Sequence, residues 1–278
     1  MIIEIKQTKS NFENKFEIKV NNQLKYLANT PWMDISIQAN IDNIRPCIMT
    51  NTDESVCYTS SYNIIENISN SIVPIKWAFT GKQKSSVFSV MDNEKNTCGK
   101  FYKLTNGLLD TKYVIEYENY TLKCYDISVG KTRNIPIYNE ENQIAEIIKP
   151  LNVSNNQDNY YIFLLDEYSS LETILSFFVI IFDNQQYSNK GQVAYNERSA
   201  SICYTYDKNR KYYNKNWIIN NFDNNDINLI NTKILEDREN VIKSIKKQSK
   251  YVFVFIPLII LLMIAVFSIL YYFYYNMP

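Results

Sequence analysis

The sequence predicts a mainly β fold in which short strands wrap round one buried helix, followed by a C-terminal transmembrane helix. Short runs of alternating apolar and polar residues, separated by turn residues, fill the first two-thirds of the chain and are typical of a β-sandwich or barrel. The segment Leu171–Phe182 is apolar on almost every face. At about 18 Å it is too short for a bilayer, so we expect a core helix. The segment Tyr251–Phe273 has 23 residues without a charge, which is long enough to span a bilayer.

The alternating runs predict ten to twelve strands, several of them joined as hairpins. Asn21-Asn22 and Glu118-Asn119 each separate two such runs, as a tight turn does between paired strands. Residues 40–70 are polar and rich in Asn and Ser, and we expect at most two short strands in a long loop there. The predicted strands are Ile2–Gln7, Lys15–Val20, Gln23–Ala28, Trp32–Ala39, Val73–Phe79, Ser86–Met91, Cys98–Leu104, Lys112–Tyr117, Tyr120–Ile127, Arg133–Tyr138, Gln143–Lys149 and Asn159–Leu165. The two short strands that the loop could add are Cys47–Thr50 and Val56–Thr59.

The predicted core helix covers residues 169–183 and closes a domain of residues 1–190. Ser170 is a suitable N-cap, and Glu172 in the first turn suits the helix dipole. Asp183 ends the apolar run.

The C-terminal third predicts a tail anchor. Residues 191–232 are interpreted as a polar tether and 233–250 as an amphipathic juxtamembrane helix. Four lysines precede the uncharged segment Tyr251–Phe273, and no charge follows it. The positive-inside rule therefore predicts a cytoplasmic N-terminal domain, with these lysines at the membrane surface. The alternative is a buried C-terminal core helix. The membrane-surface lysines are Lys243, Lys246, Lys247 and Lys250.

Composition excludes several classes of function. Lys+Arg and Asp+Glu both number 29, so net charge gives no sign of nucleic-acid binding. The chain has no histidine, which rules out His general bases, Ser-His or Cys-His pairs and His metal ligands. Its 5 cysteines form no CxxC motif, so we expect free thiols and no zinc site.

No arrangement of acidic residues predicts catalysis. Glu140-Glu141 and Asp166-Glu167 are adjacent pairs on predicted turns, which is typical of solvated loop charge. Oxygen ligands also cluster at Asp223–Asp226, but the glycine and terminal Glu of an EF-hand are missing. We therefore expect no cofactor, no metal and no enzymatic activity.

The order of elements resembles the tubby-like superfamily, which includes tubby domains, phospholipid scramblases and LURP-one-related proteins. The resemblance rests on NYYIFLLDEY followed by SSLETILSFFVIIFD, and on the hairpins FEIKVNNQLKYLA and IPIYNEENQIAEIIK. It covers about residues 12–187 and implies a roughly twelve-stranded barrel closed round one hydrophobic central helix. The apolar C-terminal segment departs from the pattern, because in tubby and scramblase proteins the core helix lies near the chain end.

Two groups of basic residues are candidate lipid contacts. Tubby domains bind phosphoinositide headgroups, so the resemblance implies an anionic-lipid site on the barrel. Ordinary solvated charge is the alternative. The candidates are Lys76, Lys82, Lys84, Lys123, Lys131 and Arg133.

These observations favour a non-enzymatic, membrane-anchored binding or signalling module that recognises anionic phospholipid or a protein partner. A scramblase-like lipid-translocating protein is the first alternative, although a single span gives no polar path across the bilayer. A membrane-bound enzyme with an acid-only or metal-dependent mechanism is another. An unrelated β fold, such as a viral envelope protein with its head outside, is the last.

Overall fold

The part of the chain that the structure describes forms an antiparallel β-barrel with helices packed on it. The computed structural model describes residues 1–10, 13–31, 46–72, 81–106, 110–130, 132–150, 157–186, 208–240 and 260–267. Within these ranges there are thirteen strands in one sheet. The strands are β1 (Ile2–Ser10), β2 (Glu13–Val20), β3 (Gln23–Pro31), β4 (Ile48–Asn51), β5 (Val56–Tyr62), β6 (Lys82–Met91), β7 (Thr97–Asn106), β8 (Asp110–Tyr117), β9 (Tyr120–Cys124), β10 (Ile127–Val129), β11 (Thr132–Asn139), β12 (Asn142–Pro150) and β13 (Asn159–Leu164).

Twelve of the strands close the barrel, and the short β10 pairs with β11 on the same side as β9. Consecutive strands pair with each other except β9 and β10, which both pair with β11, and β13 pairs with β1. The closing contact places Cys124 opposite Ile137 and Leu122 opposite Asn139. A closed ring leaves none of these twelve strands with an unpaired edge.

The local sequence explains the tight hairpins. Asn21 and Asn22 have φ angles of 48° and 67°, as a type I′ turn requires, and this turn follows the twist of the paired strands. Glu118 and Glu140 also adopt positive φ, at 50° and 54°, at the turns that join β8 to β9 and β11 to β12. The predicted hairpins at these three turns are confirmed.

One helix is enclosed by the sheet. A 3₁₀ turn (Asp166–Leu171) leads into α2 (Glu172–Gln186), and every side chain from Ile174 to Phe182 is at most 3% exposed. These side chains share one hydrophobic cluster with inward-facing residues from nearly every strand of the ring. The ring of Phe177 lies 5.7 Å from that of Tyr58 on β5, and Phe182 lies 5.3 Å from Tyr113 on β8.

Three further helices pack on the outside of the barrel. They are α1 (Ile64–Ile72), α3 (Trp217–Asn221) and α4, which covers 224–240. Trp217 of α3 and Ile230 of α4 form a second cluster with Tyr161 and Phe163, on the outer face of β13. Residues 208–240, which span the end of the predicted tether and the start of the predicted juxtamembrane helix, therefore include segments that contact the barrel.

The predicted fold class is wrong in its C-terminal element and in its number of helices. In the described residues, no helix is long and apolar enough to cross a membrane. Of the predicted span, the structure describes residues 260–267, and these are helical. Residues 251–259 and 268–273 of that span lie outside the described residues. The sequence also predicted no helix beside the barrel in the first 190 residues, yet α1 packs there.

Two predicted strands, Trp32–Ala39 and Val73–Phe79, lie outside the described residues. The predicted strand Tyr120–Ile127 is divided in the structure, because β9 ends at Cys124 and β10 begins at Ile127.

Candidate functional site

A row of aromatic and basic side chains crosses the outer face of the barrel from β7 to β11. Tyr102 on β7 is the cross-strand partner of Val114 on β8, and Val114 is the partner of Lys123 on β9. Lys123 is in turn opposite Tyr138 on β11. Tyr102 and Val114 belong to a small cluster with Val87, separate from the barrel core. Because cross-strand partners point to the same side of a sheet, Lys123 and Tyr138 face outward with them.

Two lysines lie over tyrosine rings on this face. The Lys84 Nζ is 4.2 Å from the centre of the Tyr102 ring, and the Lys112 Nζ is 5.9 Å from the Tyr125 ring. An ammonium over the face of an aromatic ring gains about 0.5–1 kcal/mol at an exposed site. These contacts hold the two lysine stems against the barrel and leave the charge at the surface.

A basic 3₁₀ turn, Lys208–Tyr212, extends the face. The Tyr212 ring stacks on Tyr125 with centres 3.7 Å apart, and its carbonyl oxygen accepts a hydrogen bond of 2.9 Å from the Tyr138 hydroxyl. The Asn209 Nδ2 donates a 2.6 Å hydrogen bond to the carbonyl of Thr111 on β8. These contacts fix the turn beside Lys112 and Lys123, and the side chains of Lys208 and Lys211 are exposed.

We call this surface the basic face. At a strand spacing of about 4.8 Å it extends roughly 19 Å from β6 to β11. Its acidic neighbours include Glu116, which accepts a 2.7 Å hydrogen bond from the Tyr102 hydroxyl, and Asp110. The basic face is defined by Lys84, Lys112, Lys123, Lys208 and Lys211.

The tyrosines of the basic face act as neutral groups. Burial raises the pKa of Tyr102 above its usual range, and its hydrogen bond to Glu116 raises the pKa further. Burial likewise raises the pKa of Tyr125, and its contact with Tyr212 adds to the effect. The rings therefore provide stacking surface and hydroxyl donors, while the positive charge comes from the lysines.

Helix α1 lies beside the basic face with its apolar side turned outward. The buried Asn67 amide donates to the carbonyl oxygen of Val87 at 3.0 Å and accepts from the Val87 N–H at 2.9 Å. The helix therefore docks through a polar side chain. Ile64, Ile65 and Ile68 are 44%, 83% and 51% exposed. The three isoleucines form an exposed apolar patch on one short helix, and an exposed apolar patch is a candidate interaction site.

The structure brings some of the predicted lipid-contact residues together and separates others. Lys84 and Lys123 belong to the basic face, and Lys82 is exposed at the start of β6, next to it. Arg133 does not belong to the basic face. It forms an ion pair with Asp126, and its guanidinium lies 5.1 Å from the Phe182 ring inside the barrel. Lys76 and Lys131 lie outside the described residues, as do the predicted membrane-surface lysines at 243, 246, 247 and 250.

Sequence reasoning missed Lys112, Lys208 and Lys211. A signal was present in KNRKYYNK at residues 208–215, where basic residues flank a pair of tyrosines. That segment lies in the predicted tether, and nothing in its local sequence shows that it packs on β8 and β11.

The acidic pairs have ordinary structural contacts where they are described. Asp166 accepts a 2.6 Å hydrogen bond from the N-terminal amine of Met1, and Glu140 is in a turn. The Asp223 Oδ1 accepts a 2.7 Å hydrogen bond from the Asn225 N–H at the start of α4, which is the contact of a helix N-cap. Across the described ranges, no group of His, Cys, Asp and Glu side chains could hold a metal ion.

Comparisons with known proteins identify no related protein. No family model matches the chain, and neither does any curated protein or solved structure. The tubby-like resemblance and the cytoplasmic location of the barrel stay predictions.

Proposed function

We propose that the protein is a non-enzymatic binding module whose basic face docks on an anionic phospholipid surface. The observation that supports this best is the position of the basic face beside the exposed isoleucines of α1. A membrane interface accommodates both features, because lysines reach headgroup phosphates while apolar side chains enter the acyl boundary.

Charge and apolar surface contribute differently to this binding. Each lysine near an anionic leaflet contributes about 1 kcal/mol, so the five lysines of the basic face give several kcal/mol at low salt. The isoleucines Ile64, Ile65 and Ile68 add affinity that does not depend on lipid charge. Salt at 1 M reduces the Debye length to about 3 Å and suppresses the first contribution only.

Vesicle flotation tests the proposal. A chain ending at residue 240 excludes the uncharged segment after Lys250, so that segment cannot cause binding, and circular dichroism checks that the shortened chain folds. We expect it to float with vesicles containing phosphatidylserine, to float less at 1 M salt, and to bind neutral vesicles weakly. A folded protein that ignores anionic vesicles would contradict the proposal and direct the search to an acidic protein partner.

A substitution separates the two contributions. Replacing Ile64, Ile65 and Ile68 by serine should weaken flotation at both salt concentrations, because the apolar contact is lost. The matched control replaces Ile219, Leu229 and Leu235 by serine, since these side chains of α3 and α4 are 58%, 44% and 55% exposed and lie on another side of the barrel. Equal losses in the two variants would show that α1 has no special part in binding.

A further inference from the structure

The inward faces of β1, β2 and β3 change from apolar to polar at the end of the barrel where α2 ends. Towards that end, buried apolar positions give way to Gln7 on β1, Asn14 on β2 and Thr30 on β3. All three are at most 1% exposed. Alternation along the strands places these side chains on the same inward face as the apolar residues that precede them.

These polar side chains are neighbours. The Gln7 Nε2 donates a 2.7 Å hydrogen bond to the Asn14 Oδ1, and Asn14 is the cross-strand partner of Thr30. The Gln7 Oε1 accepts a 2.8 Å hydrogen bond from the Asp158 N–H. Asp158 also forms an ion pair with Lys149, and both side chains are buried.

The last turns of α2 add two more buried polar groups. The Asp183 Oδ1 accepts a 2.6 Å hydrogen bond from the Tyr160 hydroxyl, and the Asn184 Nδ2 lies 3.7 Å from the Cys47 sulfur. Cys47 immediately precedes β4, the strand next to Thr30. The polar groups of the sheet and the helix therefore meet at one end of the barrel.

Four buried polar atoms at this end have no hydrogen-bond partner among the described residues. They differ in chemistry: an amide nitrogen donates, a hydroxyl donates and accepts, and an amide oxygen accepts, while a carboxyl oxygen accepts when ionised and donates when it carries the proton. A buried polar atom that lacks a partner costs folding free energy, and native proteins satisfy such atoms with protein groups or ordered water. The four atoms are the Asn14 Nδ2, the Thr30 Oγ1, the Asp183 Oδ2 and the Asn184 Oδ1.

The charges around these atoms are already balanced. Lys149 is paired with Asp158. Burial raises the pKa of Asp183 well above its usual range, and the nearby negative charge of Asp158 raises it further, so its neutral form is favoured. The surroundings therefore do not attract an ion of either sign, but they offer both donors and acceptors.

We propose that this end of the barrel is a binding site for a small uncharged molecule that donates and accepts hydrogen bonds. Ordered water and a small polyol share this chemistry. A buried water typically makes about three hydrogen bonds to polar groups that would otherwise be unsatisfied, and these four atoms are groups of that kind.

The first test is Thr30→Val in the full chain, because valine has nearly the shape of threonine without its hydroxyl. If the hydroxyl binds an enclosed molecule, the unfolding equilibrium constant in urea should rise at least fivefold. If the hydroxyl has no partner, removing it should lower that constant instead, which would overturn the proposal. Thr121→Val on β9, where the side chain is exposed, measures the change in strand preference alone.

The second test identifies the occupant. A crystal structure of the full chain should show density within about 3.2 Å of at least two of the four atoms. Mass spectrometry of the denatured protein distinguishes the sources, since a polyol would be released and water would leave no organic compound. Finding the four atoms bonded to other parts of the same chain, with no enclosed molecule, would also overturn the proposal.

Discussion

Glu146→Gln should make the protein more stable above neutral pH while changing its stability little in acid. Glu146 lies on β12 and is only 1% exposed. Its Oε1 accepts a 2.7 Å hydrogen bond from the Asn134 Nδ2, and its Oε2 accepts one of 3.2 Å from the Gln143 Nε2. Burial raises the pKa of Glu146 from 4.5 to about 7, although both hydrogen bonds lower it.

The sign of the effect follows from this raised pKa. Below pH 4.5 the carboxyl group is protonated in the folded and unfolded states, so it carries no ionisation cost. As the pH rises from 4.5 to about 7, the Glu146 carboxyl group ionises in the unfolded state but stays mostly protonated in the folded state. The unfolded state is therefore favoured, and folding stability decreases. At 1.36 kcal/mol for each pKa unit, the loss approaches about 3 kcal/mol, and it levels off above that pH.

Glutamine removes the ionisation and can keep the hydrogen bonds. The Gln143 Oε1 is buried without a partner among the described residues. A flip of the Gln143 amide would let this oxygen accept from the new amide at position 146.

Urea unfolding at several pH values between 4 and 9 measures the effect. The difference in unfolding free energy between the variant and the wild type should grow by about 3 kcal/mol in favour of the variant. Other buried acids, such as Asp183, change with pH in both proteins and cancel in this difference. A difference that stays constant with pH would refute the reasoning.

Three further substitutions test the packing, each by urea unfolding. Phe177→Ala in α2 should cost about 3–5 kcal/mol, because the ring is fully buried and its removal leaves a cavity; a loss under 1 kcal/mol would mean that the helix is not enclosed. Lys149→Met should cost about 3–5 kcal/mol, because it leaves Asp158 charged and unpaired. Adding Asp158→Asn to this variant should restore part of the lost stability. Equal stability of the single and the double variant would contradict a buried ion pair. Gly99→Ala should destabilise, since its Cβ would lie 2.8 Å from the Glu116 carbonyl oxygen, and unchanged stability would show that the strands can separate there.

The strands were predictable because alternation and turn residues are local signals. Ile3 and Ile5 face inward as their spacing indicates, and Asn21-Asn22 turns as its residues allow. Arg133 could have been placed correctly by the same rule: Ile135 and Ile137 are inward-facing, and a period of two puts Arg133 on their side. Arg133 was wrongly included among the candidate lipid contacts, because its charge was considered without its position in the strand.

The surface elements were not predictable from local patterns. The amphipathic pattern of helix α1 predicts that its isoleucines are buried. In the structure the helix docks through the polar residue Asn67 and exposes its isoleucines. Trp217 and Ile230 lie in an Asn-rich segment, and only the outer face of β13 explains why they are buried. The basic face joins residues from β6, β8, β9 and 208–212, which are far apart in the sequence.

Charge reversal on the basic face tests the central claim most directly. Lys112→Glu/Lys123→Glu should weaken binding to anionic vesicles at least about 30-fold at 0.1 M salt, since two lysines contribute about 2 kcal/mol. The matched control, Lys6→Glu/Lys15→Glu, makes the same change in net charge at exposed lysines on β1 and β2, across the barrel. Binding that falls only in the first variant is the predicted result, and equal loss in both, or no loss in either, would contradict docking through the basic face.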